Sequence, residues 1–102
     1  MLDAAREAVS FAAGRSRDDL RNDRRLTLAL VKCVEIVGEA ASQVSEGGRA
    51  LVPELPWANI VAMRHRLVHA YFDVDLDRVW DTVADDLPPL IAALEAKHLP
   101  PP

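Results

Sequence analysis

The chain is short of cysteine, aromatic residues and long apolar runs, and each shortage narrows what it can be. One cysteine, Cys33, among 102 residues excludes an internal disulfide and fits a reducing compartment. Two Trp, one Tyr and two Phe leave the core to Leu, Val, Ile and Ala. With alanine abundant, that mixture favours helices packed on helices over a sheet. No stretch approaches the roughly 20 apolar residues of a membrane span. The N-terminus lacks the basic, apolar, small-residue order of a secretory signal, so the cytoplasm is the expected location. Basic residues are outnumbered, 12 Lys and Arg against 16 Asp and Glu. That balance argues against broad nonspecific binding to nucleic acid, which needs many cations to neutralise phosphates. A local basic cleft remains open, because the arginines cluster at Arg15 to Arg25 and Arg64 to Arg66.

The length suits one domain, expected at residues 1–98 with a frayed tail at 99–102. A domain this small buries only about two-thirds of its unfolded surface and gains from pairing with a second copy. Residues 2–13 have amphipathic spacing, and Gly14 is a suitable C-cap. Ser16 can cap a short helix with Asp18 and Asp19 in its first turn. A long helix is expected from about Asn22 to Val44, its stripe made by Leu26, Leu30, Val34, Val37 and Ala41. Gly38 in that run suggests close approach of a neighbouring helix. Glu46-Gly47-Gly48-Arg49 reads as a break. Pro56 fits the first position of a helix running to about Tyr71. Asp75 caps the last helix, with Val74 and Val79 as a hydrophobic staple. Its apolar spacing stays in phase across Pro88-Pro89, which predicts a kink or an immediate restart. Asp77, Asp81, Asp85 and Asp86 are expected to form a solvated face.

Polar chemistry concentrates at Met63-Arg64-His65-Arg66-Leu67-Val68-His69-Ala70-Tyr71-Phe72. On a helix His65 and His69 lie one turn apart, whereas Arg64 and His69 lie about 140° apart around the axis. A two-fold axis beside the helix would bring both copies of Arg64 and His69 to one groove. A neutral imidazole can take the proton of a ribose 2′-hydroxyl, which then attacks the adjacent phosphorus. A guanidinium can grip the phosphate and offset charge developing in the transition state. Zinc is the competing chemistry, from His65, His69 and Asp73. It is disfavoured because the helix should end before Asp73, no cysteine pair accompanies it and His-Glu-x-x-His is absent. A calcium loop at Asp73-Val74-Asp75-Leu76-Asp77 fails on Arg78, where glycine is needed, and Ala84, where glutamate belongs. No cofactor is expected.

Arg64-x-x-x-x-His69-x-Tyr71 resembles the signature of HepT-like toxins in the HEPN superfamily. The resemblance runs from about Val34 to Leu94. It takes in Ile36-Val37-Gly38-Glu39-Ala40-Ala41, Pro56-Trp57 and Leu76-x-x-Val79-Trp80-x-Thr82-Val83-x-x-Asp86-Leu87-Pro88. It implies an all-α, HEPN-like antiparallel four- to five-helix bundle, usually dimeric. It further implies a metal-independent endoribonuclease that is the toxin of a toxin–antitoxin pair. The partner would be a nucleotidyltransferase antitoxin able to transfer AMP to Tyr71, placing charge where RNA phosphate must bind. Arg64 and His69 would then be catalytic, His65 and Arg66 supporting or RNA-binding, and Glu39 an orienting carboxylate. One departure is His65, where many relatives carry Asn or Asp. The chain also begins a few residues into the family's first helix, which would trim dimer contacts. The competing reading is a catalytically silent helical module that binds a nucleotidyltransferase.

Overall fold

The computed structural model describes residues 1–67 and 74–97, apart from the Arg64 side chain. The described residues form an all-α bundle. It comprises α1 (Leu2–Ala12), α2 (Asp19–Asn22), α3 (Arg24–Ser42), α4 (Glu46–Ala50), α5 (Trp57–Val61), α6 (Met63–Leu67), α7 (Leu76–Asp81), a π-helical turn (Thr82–Asp86) and α8 (Leu87–Lys97). The expected tail at 99–102 lies outside the described residues.

Helix α3 is the axis of the bundle. Asp23 caps it by accepting the Leu26 N–H at 3.1 Å, meeting one of the four donors a helix start leaves unpaired. Leu30, Val34, Val37 and Ala41 are fully buried along one side, as their three- and four-residue spacing requires. Helix α1 packs against α3 and α8, and α5 and α6 also pack on α3. Gly14, after α1, has φ +73°, a backbone state glycine adopts without steric cost.

Gly38 marks the crossing of α3 and α5. A Cβ built there would stand 3.3 Å from the Ile60 carbonyl oxygen and 3.4 Å from that of Val61. These are backbone atoms, so a larger side chain must push α5 away as a unit. Gly38→Val is expected to lower unfolding free energy by about 2 kcal/mol, the usual scale of core overpacking. Urea unfolding followed by circular dichroism measures this.

The short α2 begins later than expected. Ser16 does not cap it with its hydroxyl; instead the Asp19 carboxylate accepts the Ser16 N–H at 2.7 Å. Arg15 reaches Asp19 at 3.3 Å and Asp23 at 2.8 Å. The Ser16 N–H, and then Arg15, hold the Asp19 carboxyl below its ordinary value. Arg15, and then the Leu26 N–H, do the same for Asp23. Both carboxyls bind protons less readily in the folded chain. Their stabilisation is present at neutral pH and fades as pH falls below the ordinary 3.8. Arg15→Gln should therefore flatten the acid limb of a stability–pH profile while altering midpoints at pH 7 only slightly, since the pairs are exposed.

Four other expectations are corrected. The Glu46–Arg49 stretch is not a break but part of α4, because the Ser45 hydroxyl accepts the Gly48 N–H at 3.0 Å and starts a turn despite two glycines. Pro56 occupies the N-cap of α5, one position earlier than expected. The helix expected from Trp57 to Tyr71 is interrupted at Ala62, which separates α5 from α6, and its end lies outside the described residues. The Asp77–Asp86 face is also not simply solvated. Arg17, ahead of α2, binds Asp77 at 3.1 Å and Asp81 at 2.6 Å, clamping the start of the chain to α7.

Asp75 caps α7 as expected, accepting the Arg78 N–H at 3.0 Å. The prolines are accommodated by the π turn, whose Thr82 carbonyl accepts the N–H of Leu87 five residues on. A four-residue step in an α-helix overshoots a full turn by about 40°. Two successive steps, Val79 to Val83 to Leu87, would therefore drift about 80° off the core. The wider turn absorbs the drift, and all three residues are buried with Leu90. It also relaxes the ring of Pro88 against the preceding turn.

Candidate functional site

The sixth helix is held from three sides. Trp57, at the start of α5, donates its indole N–H to the Val52 carbonyl at 3.1 Å. The Arg49 guanidinium lies 5.6 Å from the Trp57 ring centroid and also donates to the Val44 and Ala41 carbonyls at 3.1 and 3.2 Å. This fixes the approach to α5, and Ile60 then buries beneath α3. After the step at Ala62, Met63 and Leu67 turn inward, four residues apart, leaving His65 and Arg66 exposed. The Leu67 carbonyl accepts the Asp75 N–H at 2.7 Å. The two residues flanking the segment that carries His69 and Tyr71 are thereby joined.

His65 and Arg66 are the expected site residues whose side chains are described on α6. His69, Tyr71 and the Arg64 side chain lie outside the described residues, as does Asp73 of the metal alternative. Arg66 donates Nη2 to the Asn59 Oδ1 at 3.1 Å, bridging α5 and α6 on the outer surface. Glu39 is exposed on α3, one residue after the α3–α5 crossing. Among the described residues no three His, Cys, Asp or Glu side chains are grouped to hold a metal ion.

A cleft of about 380 Å³ opens beside α6. Its apolar wall includes Leu55, Ile60, Met63 and Leu90, and its polar edge Asn59, Arg66, Arg78, Asp85 and Asp86. Partial burial pushes the Asp86 carboxyl up, helped by Asp85 and Asp81 and opposed by Arg66 and Arg78. Arg66 is the one expected site residue on this edge; neither His65 nor Glu39 lines it. Asn59, Arg78 and Asp86 were not legible as site residues. The available signal was the Asp85-Asp86 pair one residue ahead of two prolines, where a helical irregularity brings carboxylates against another element.

The chain matches the family model described as Ribonuclease HepT-like over residues 1–96. It is 37% identical over 78 residues to the "Probable ribonuclease HepT" of Thermococcus cleftensis, covering 76% of this chain and 71% of the relative. A Caldanaerobacter subterraneus protein provisionally named an RNase is 36% identical, over 80% of this chain and 73% of its own. A Methanocaldococcus jannaschii protein with the same provisional naming is 27% identical, over 93% of this chain and 87% of its own. No solved structure matches the chain. A family match across nearly the whole sequence, with relatives named as ribonucleases, places this chain in the HepT-like ribonuclease family.

Proposed function

We propose that the chain is a metal-independent endoribonuclease, the toxin of a toxin–antitoxin pair, acting at a cleft between two copies of itself. The observation that carries the reading is Arg64-x-x-x-x-His69-x-Tyr71 in a chain of this family. His69 takes the proton of a ribose 2′-hydroxyl, the resulting oxygen attacks the adjacent phosphorus, and the 5′-oxygen leaves. Arg64 holds the phosphate and offsets its growing charge. Arg66 and His65 contact the strand, and Glu39 orients the catalytic groups.

The exposed apolar side chains of Phe11, Leu28 and Ile36 on α1 and α3 support pairing, since a second copy would cover them. The nucleotidyltransferase antitoxin silences the enzyme by transferring AMP to Tyr71, which adds negative charge two residues from His69. The cytoplasm is the expected compartment; no helix among the described residues is long and apolar enough to cross a membrane.

The test is cleavage of total RNA by purified protein in excess EDTA, with the product ends identified. Persistent cleavage leaving 2′,3′-cyclic phosphates is the expected result. Loss of activity with EDTA, restored by one divalent metal, would replace this mechanism with a metal-assisted one. Intact RNA under every condition would leave the silent, transferase-binding module.

A further inference from the structure

Apart from Arg66, the polar edge of the cleft beside α6 is made of groups that the cleavage mechanism does not use. Carboxylates from Glu54, Asp85 and Asp86 stand with guanidiniums from Arg66 and Arg78, the Asn59 amide and the Thr82 hydroxyl, beside an apolar wall that includes Met63 and Leu90. A bare anion is disfavoured by the three carboxylates, and a bare cation by the two guanidiniums. A purely apolar ligand would leave the exposed charged groups unused. The occupant must have a flat apolar body, adjacent hydrogen-bond donors for carboxylate, and acceptors for guanidinium. A volume of about 380 Å³ lies at the small end of ligand pockets, roughly 300–1,000 Å³.

Guanine meets each requirement. Its N1–H and N2–H donors match a carboxylate, its O6 and N7 acceptors match a guanidinium, and its ring face can lie on thioether and aliphatic groups. Adenine and cytosine each offer a carboxylate one amino group flanked by an acceptor, and uracil offers a single imino donor. We propose that the cleft lined by Asn59, Arg66, Arg78, Asp86, Met63 and Leu90 is a base-binding subsite that selects a guanine of the RNA strand. It rests on the ribonuclease reading for its substrate, and its place is set by α6. Met63 and Arg66 of the cleft share that one short helix with Arg64. The Arg66 bond to Asn59 at 3.1 Å holds the guanidinium on the cleft edge before a base arrives. That preorganisation lowers the ordering cost of binding. A widened helical turn supplies Asp85 and Asp86, and such turns recur at functional sites.

The experiment titrates the full chain with the four nucleoside 5′-monophosphates, following backbone amide shifts. Guanosine monophosphate is expected to bind at least tenfold more tightly than the other three, with shifts centred on Asn59, Arg66, Asp86 and Leu90. Asp86→Asn should remove that preference, and Ala93→Phe, which fills the cleft from α8, should remove binding altogether. The wild-type selectivity decides the matter if either variant fails to fold. Equal binding of all four nucleotides, preference for another base, or no shifts at the cleft would each overturn the proposal. Mapped cleavage sites separate it from the reading it rests on. Guanine-selective binding without RNA cleavage would uphold the subsite and defeat the enzyme. RNA cleavage without selective binding would do the reverse.

Discussion

His69→Ala is expected to slow RNA cleavage by about two to four orders of magnitude, the usual contribution of a positioned general base. Its unfolding transition should stay at the wild-type position, so that the loss is one of chemistry. Arg64→Ala should cost a similar factor, about 10²–10³, by removing a donor aimed at developing phosphate charge. Arg64→Lys should recover only part of it, because an ammonium cannot present the planar pair of N–H groups. His65 is the control within the same helix. It is exposed, so His65→Ala should change the rate less than tenfold. A large loss at His65 with little at His69 would move the proton-transfer role to His65.

Leu67→Ala should be the most damaging stability change near the site. Leu67 is completely buried, and removing its side chain leaves a cavity at the junction of α6 with α3 and α7. The expected loss is about 3 kcal/mol, against a total of roughly 5–15 kcal/mol for a domain. In a chain of this size that lowers the melting temperature by roughly 15 °C. The same residue offers the carbonyl that holds Asp75 at 2.7 Å, so weakened packing should also loosen that tie. Calorimetry gives the first effect, and faster hydrogen exchange at the Asp75 amide gives the second. A shift under 3 °C would mean that α6 is held by its neighbours and not by this side chain.

The helix-forming segments were legible because their signals are local. Asp75 and Gly14 act on backbone groups within a few residues, and the spacing of Leu30, Val34 and Val37 declares one buried face. Gly38 was legible as a close approach because glycine in a helix interior costs stability unless something needs the space. The step at Ala62 was not, since Trp57 to Leu67 contains no proline or glycine, and the interruption follows from how α5 and α6 each seat on α3. The Arg17 pairing with Asp77 and Asp81 spans 60 residues or more of sequence, beyond any spacing rule. The same holds for the site. Arg64, His69 and Tyr71 stood out as a motif, whereas Asn59, Arg78 and Asp86 share a cleft only through tertiary packing.

The turn at Thr82–Asp86 is a place where the chain can lose one residue without losing its core. An exposed residue such as Ala84 could be exchanged freely, and deleting it would restore regular winding. Val79 and Leu87 would then stand seven residues apart, about 700°, within about 20° of two full turns, so Leu87 would stay on the buried side. The cost would fall at Pro88, whose ring a regular turn crowds. Homologous chains should therefore vary by one residue here, and those without the extra residue should also lack the proline that follows.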